Sequence, residues 1–430
     1  MKLAMIPRTS GRRRRRLPLL LLTLLPCCMF RELHQNLEEL GTYGLLRGRV
    51  SVAEPSEAHI VIAVYSGPPG AAHVVDTFVL LQPGSYFFIV PAGTYRLAAF
   101  EDRDGNLVYD PAHDPATQFQ NGAPIIVAGG QALEALDLAF RPDTLQPLGF
   151  AVSVPPGGQR GMRQIPDLNV GVVTTLDDAR FSDDNARMGL WAPVEFLFDV
   201  GAGIYFLEPY DAHKTPVLFV HGADGSPANW TPVIEHLDRT RFQPWLAYYP
   251  TALPLELDAS GLDRWMQRLY ATYRFPRLIV VAHSMGGLVS RAFINHALQH
   301  SDSGVGDRLC LFVTLSTPWG GDARAALGIE QAPAVAPSWL DMAPGSPFLQ
   351  SLLAQPLPES LPHYLLFSYG GGSRLRDEAN DGVVTLASEL DRRAQFDAVK
   401  VYGFNDGHMG ILQDPQVTLL LNSLLAASAD

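Results

Sequence analysis

Three cysteines in 430 residues are too few for a disulfide framework. Cys27 and Cys28 adjoin near the start, and Cys310 lies in the apolar run RLCLFVTL, where a buried thiol is expected. The histidines fall in no H-E-x-x-H or Cys/His spacing, so no catalytic metal is indicated. There is no internal repeat, and no low-complexity tract beyond Arg12–Arg16. The apolar run Leu17–Leu25 is too short to span a bilayer comfortably. A basic surplus is also missing: the net charge is −12, and residues 1–26 hold seven basic groups and no acid. Taking those seven charges from −12 leaves a body of −19, which excludes nucleic acid as a partner and gives no charge attraction to anionic lipid. Only 18% of the residues are charged and 47% are apolar, enough for a large core and, at this length, two domains.

The richest stretch is PRLIVVAHSMGGLVSRAFINHALQ. Leu278–Ala282 is a continuous apolar run with strand character, and an amphipathic helix starts directly after His283-Ser284-Met285-Gly286-Gly287. A strand, a sharp turn bearing a serine and a helix make a nucleophile elbow, G-x-S-x-G with Ala282 in place of the first glycine. The turn lifts the Ser284 hydroxyl clear of the backbone, and the helix start aims N–H groups at a developing oxyanion.

The N-terminus reads as a charged segment, an apolar segment and LLPCC. This resembles a bacterial lipoprotein signal, with Cys27 or Cys28 acylated, although Pro26 or Cys27 stands where a small residue is usual. An ordinary export signal or an uncleaved signal anchor is the alternative. Either places the protein in a cell envelope, as a membrane-anchored lipoprotein or else as a periplasmic or secreted protein. Residues 1–28 are thus a signal and 29–44 a tether. From 45 to 141, seven short β-like runs between Gly/Pro turns predict a small all-β sandwich. Within it, VPAGTYRLAAFEDRDGNLVYDP resembles prealbumin-like or carboxypeptidase-regulatory-like modules. Asp102, Asp104, Asn106 and Asp110 occupy positions one, three, five and nine of a loop, a pattern that suits a structural Ca²⁺ or a solvated hairpin turn. Residues 142–192 read as a Pro/Gly-rich linker.

From 193 to 430 strands alternate with helices, which predicts an α/β fold with a mostly parallel sheet. VEFLFDV and GIYFLEP are expected to open it as a hairpin. Reactive groups gather at the C-terminal ends of such strands. There stand Ala223 and Asp224, Ser284, Trp319-Gly320-Gly321, a loop with Asp377, Glu378 and Asp381, and finally Asp406 and His408. Serine, then acid, then His408 is an order that lets the imidazole take the serine proton while the acid fixes its tautomer. His221 and His283 read as scaffold hydrogen-bonders. Residues 320–362, with Trp339, Leu340, Met342 and Phe348, are a lid, an acyl-chain wall or packed core.

VLFVHGADGSPANW, VVAHSMGGLVSRAF, LSTPWGG, NDGVVTLAS and GHMGIL, in this order, resemble the lipase/esterase branch of the α/β-hydrolases, including bacterial lipases and GPI-inositol-deacylase-like proteins. The resemblance implies the α/β-hydrolase fold, Ser284, Asp381 and His408 as a triad, hydrolysis of a hydrophobic or lipid ester, and no cofactor. The oxyanion would meet the N–H groups of Ala223 and Met285. Asp381 also suits the acid's role physically: Gly382 permits a tight turn, and Val383-Val384 return the chain inward. An acyltransferase or a peptidase with the same triad, or a noncatalytic envelope binding protein, are the alternatives.

Overall fold

The computed structural model describes residues 20–53, 58–68, 70–80, 82–142, 144–154, 169–299, 304–371 and 378–429, with side chains from residue 28 to 428. Helix α1 (Leu20–Leu40) leads into a two-sheet β-domain. Its strands are β1 (Tyr43–Val52), β2 (His59–Ser66), β3 (His73–Leu80), β4 (Ser85–Pro91), β5 (Gly93–Asp102), β6 (Ala116–Gln118), β7 (Ile125–Val127), β8 (Ala132–Leu133) and β9 (Leu138–Phe140). One sheet runs β4-β1-β8 with β9 also on β1; the other runs β3-β2-β5-β6 with β7 also on β5. The period of two along β2 explains the packing. Ile60, Ile62 and Val64 enter the core between the sheets, whereas Val61, Ala63 and Tyr65 face outward. That outer face is buried too, because Leu148 and Val152 fold back over it.

The second half is a single eight-stranded sheet. Its elements are β10 (Val172–Val173), α2 (Asp183–Trp191), α3 (Pro193–Glu195), β11 (Gly203–Phe206), β12 (Thr215–Val220), α4 (Thr231–Ile234), β13 (Phe242–Tyr248), α5 (Leu255–Tyr273), β14 (Leu278–His283), α6 (Met285–Gln299) and β15 (Leu309–Leu315). Then follow α7 (Ala323–Gln331), α8 (Pro337–Met342), α9 (Pro347–Leu352), β16 (His363–Ser368), α10 (Leu386–Glu389), α11 (Arg392–Asp397), β17 (Ala398–Phe404) and α12 (Pro415–Ala429). The order across the sheet is β10-β11-β13-β12-β14-β15-β16-β17, parallel throughout except between β11 and β13. Helices cover both faces, so β12 and β14 are buried along nearly their whole length, which is why they read as unbroken apolar runs.

Three expectations need correction. Residues 29–44 are no tether: α1 buries Leu33 and Asn36 completely or nearly so. Asn36 Oδ1 accepts the Val194 N–H at 2.9 Å, and the Phe30 ring meets Trp191 edge-on. The linker at 142–192 is also smaller than expected. Its first part, to 154, covers the β-domain, and from 169 onward it belongs to the second half, where Val172–Val173 pair with β11. VEFLFDV is not a strand but the end of α3 and a five-residue π-turn, Phe196–Val200, closed by Gly201 at φ 87°. Helix α5 begins at Leu255, whose N–H is accepted by the Asp341 carboxylate from α8.

Residues 320–362 form α7, α8 and α9, partly core through Met342 and Leu349, while Leu327 and Leu340 are exposed. Of the expected signal, residues 1–19 lie outside the described residues, and α1 continues unbroken past Cys28. Among the described residues, no helix is long and apolar enough to cross a membrane. The halves meet where Arg264 of α5 reaches Asp76 of β3 at 3.2 Å and lies over the Phe78 and Phe87 rings.

Candidate active site

Ser284 follows β14 directly and holds φ at 55°, a left-handed value that a non-glycine residue seldom adopts. Its N–H donates to the Leu315 carbonyl at 2.8 Å, which pins the turn to the neighbouring strand. Two glycines after it are dictated by contact. A Cβ on Gly286 would sit 2.4 Å from the His221 carbonyl oxygen, and one on Gly287 would meet Thr317 Oγ1 at 2.0 Å. The end of β12 therefore passes directly beneath the elbow, and only glycine leaves it room.

His408 stands on the loop after β17, and Asp381 on the loop after β16. The Ser284 hydroxyl lies 2.8 Å from His408 Nε2, and His408 Nδ1 lies 2.5 Å from Asp381 Oδ2. All three are nearly buried, at 9%, 7% and 2% exposure, so their hydrogen bonds face little competition from water. The backbone reinforces the pairing, because the His408 N–H donates to the Asp381 carbonyl at 2.9 Å. Asp381 Oδ1 takes the N–H groups of Val383 and Val384 at 2.8 and 2.6 Å, and Oδ2 also takes the Ser368 hydroxyl at 3.1 Å. Burial alone would raise this carboxyl, but His408 and those two N–H donors hold it below the ordinary carboxylate range.

The two scaffold histidines have separate duties. His283 Nε2 reaches the His408 carbonyl at 2.8 Å, and burial pushes its pKa down to about 3. His221 stacks on Tyr249 with ring centres 4.5 Å apart, and burial lowers it to about 4. Both are therefore neutral at pH 7.

Met285 is the first residue of α6, and a helix start leaves its N–H free of intrahelical bonding. A Cβ on Gly222 would fall 2.7 Å from Ser284 Cβ, so the chain bearing Ala223 runs against the serine. Neither N–H has a hydrogen-bond partner among the described residues. Asp224, at φ 55°, donates its own N–H to Thr251 Oγ1, which fixes this loop.

Other expected residues lie elsewhere. Asp377 is outside the described residues; Glu378 is exposed, and its carbonyl accepts the Asn380 amide. Asp406 sits against Asp414 rather than His408, and burial followed by that neighbour raises its carboxyl. Asp102, Asp104, Asn106 and Asp110 do not converge as a ligand set. Their oxygens accept the loop's own N–H groups, at Asn106 and Leu107, at Asn106, at Val108 and at Ala112 respectively. No group of three or more His, Cys, Asp or Glu side chains suited to a metal occurs among the described residues. The Cys28 thiol is free and exposed, and Cys310 is half-buried. A cavity of about 810 Å³ opens beside Asp102 and His59, and one of about 390 Å³ lies between the β-domain and α5; neither is lined by Ser284, His408 or Asp381.

Sequence reasoning missed Ser316, Ser368 and Glu389, which lie behind Asp381. Ser316 lies inside LSTPWGG but is not singled out by it, and Ser368 and Glu389 carry no motif; the register of β15 beside β16 brings the two serines together, and the Ser368 N–H reaches Glu389 at the end of α10.

No family model and no curated protein matches the chain. Among solved structures, it is similar to a mature Bacillus licheniformis lipase, with 18% identity over 52% of this chain and 97% of that one, at a TM-score of 0.41. It is similar to Aspergillus fumigatus lipase B at 14% identity, over 54% and 57% of the chains, with a TM-score of 0.39. A phospholipase of Legionella pneumophila gives 17%, 41% and 45%, with a TM-score of 0.34. The sheet order of the chain itself, its elbow after β14 and the sequence Ser284, Asp381, His408 after β14, β16 and β17 carry the assignment: the second half has the α/β-hydrolase fold, preceded by an all-β domain.

Proposed function

We propose that the chain is a serine hydrolase of carboxylic esters with hydrophobic or lipid-like acyl groups. The observation that carries the reading is the buried hydrogen-bonded row from Ser284 Oγ through His408 to Asp381. In the reaction, Ser284 Oγ attacks the ester carbonyl carbon while His408 Nε2 takes its proton. Asp381 keeps the other ring nitrogen protonated and stabilises the imidazolium that forms. The carbonyl oxygen gathers negative charge and is held by the Met285 and Ala223 N–H groups. His408 then protonates the leaving alkoxide, and an acyl group remains on Ser284 Oγ. Water, activated by His408 in turn, releases the acid. No cofactor is needed for any of these steps.

The N-terminal segment supports a membrane location. With a lipid on Cys27 or Cys28 the docked part of α1 begins two or three residues later, at Phe30 against Trp191, and with the apolar segment Leu17–Leu25 retained as an anchor it begins five residues later. Such an anchor has no slack, and it holds the body with α2 and α8 close to the lipid. An acyltransferase is the second reading, since the same acyl-enzyme can pass to another acceptor. The test is a series of p-nitrophenyl esters of increasing chain length, alongside phospholipids, assayed with wild-type protein and Ser284→Ala. We expect turnover that depends on Ser284 and falls by roughly 10⁵–10⁶ in the variant. A folded Ser284→Ala protein with undiminished turnover contradicts the proposal.

A further inference from the structure

Behind the triad lies a second carboxyl group with no cation beside it among the described residues. Glu389, the last residue of α10, is 0% exposed. Its Oε2 accepts the Ser368 N–H at 3.1 Å, while among the described residues no donor is aimed at Oε1. Ser368, at the end of β16, links this carboxyl to Asp381, and Ser316, at the end of β15, lies against Ser368. Among these only Asp381 carries charge, and His408 lies one step beyond it. Ser316 is itself held at φ 47°, an unusual backbone value maintained where β15 ends, with its N–H donating to the Leu366 carbonyl at 2.9 Å. Ser316 Oγ lies 2.6 Å from Ser368 Oγ, and the Ser368 hydroxyl donates to Asp381 Oδ2 at 3.1 Å.

A hydroxyl chain of this kind needs a direction. Ser368 gives its only hydroxyl proton to Asp381, so at 2.6 Å Ser316 must give its own to Ser368. On its other side Ser368 is held by Glu389, whose Oε2 accepts the Ser368 N–H. An ionised Glu389 would set a second negative charge beside Asp381 in a dry interior.

We propose that Glu389 is a positioning residue of the triad: as a neutral acid it holds the Ser368 N–H, and Ser368, with Ser316 behind it, holds Asp381 Oδ2 toward His408. This rests on the hydrolase reading above. Burial, followed by the Asp381 charge, pushes the Glu389 pKa up to about 9, so the acid stays neutral through the working range and ionises only in alkali. Gln at this position keeps a donor and an acceptor in the same shape but cannot ionise.

The test compares wild-type protein with Glu389→Gln and Ser316→Ala, each checked for folding by circular dichroism. Two readouts are followed from pH 6 to 10.5: kcat and KM on one soluble ester, and the low-field proton resonance of His408 Nδ1–H by NMR. We expect wild type to show an alkaline step in both kcat and the proton shift. Glu389→Gln should keep kcat at pH 7.5 within a fewfold and lose the step. Ser316→Ala should lower kcat about tenfold with KM unchanged, since it cuts the hydroxyl chain. A wild type without the step, a Gln variant that retains it, or a Ser316→Ala protein with wild-type kcat overturns the proposal. If the proton step is lost in Glu389→Gln while no ester is turned over by any form, the positioning role of Glu389 stands and the hydrolase reading falls. Turnover that depends on Ser284, with identical steps in both proteins, gives the reverse.

Discussion

Ser284 at φ 55° costs on the order of 1–3 kcal/mol of backbone strain, which the surrounding contacts must offset. Gly286 is where that compensation is tightest. Gly286→Ala forces a methyl group to 2.4 Å from one backbone carbonyl and 2.5 Å from another, neither on a flexible side chain. The expected loss is about 3 kcal/mol, read as a lower urea midpoint with unchanged slope. Asp381→Asn keeps the shape but favours the wrong imidazole tautomer, and kcat should fall by roughly 10⁴. Asp406→Asn should change kcat little, since Asp406 faces Asp414. Glu389 makes a stability prediction whose sign is fixed. Its folded pKa lies above the unfolded one, so its contribution is complete below about 4.5 and is lost as pH rises toward about 9. Glu389→Gln should therefore melt higher than wild type at pH 8–9, and the difference should shrink toward pH 4.5. At about 1.4 kcal/mol per pK unit the gain can reach several kcal/mol. A constant difference across that range would show that ionisation of Glu389 is not the cause.

At the scale of elements, β14, the elbow and α6 were legible because a buried parallel strand, a small-residue turn and a helix each leave a local mark. Asp381 was legible for the same kind of reason, through the turn at Gly382. Elements whose ends are set by distant partners were not. The start of α5 depends on an Asp341 carboxylate 86 residues away, and α3 takes its cap from Asn36 across 158 residues. The residues of VEFLFDV favour a strand locally, but Pro193 at the helix start and left-handed Gly201 at the end enclose a π-turn. Helix α1 did carry a signal: Phe30, Leu33, Leu37 and Leu40 recur at helical spacing, and the first three join a cluster with Trp191 and Trp339. Leu33 is fully buried there, so Leu33→Ala should cost about 3 kcal/mol and make the chain before Tyr43 sensitive to protease. Arg264 plays the corresponding role between the domains. Removing its Asp76 pair and its ring contacts by Arg264→Ala should split the single melting transition into two, whereas Arg264→Lys should restore only part of the coupling.

Across the whole molecule, charge is unevenly shared. The body beyond the basic N-terminus carries −19, taking the seven positive charges of residues 1–26 from −12, so the proposed membrane location draws on the N-terminal segment and not on the charge of the body. The second half supplies the sheet, and the sheet brings together at its strand ends three residues that are 97 and 27 positions apart in the chain. The central claim is that this convergence makes one serine a nucleophile. Fluorophosphonate labelling of the full chain, followed by mass spectrometry of its peptides, tests it most directly. The account predicts one adduct per chain, on Ser284, slowed strongly by Asp381→Asn and absent in folded Ser284→Ala and His408→Ala proteins. An adduct on another serine, or equal labelling of the His408→Ala protein, would contradict it.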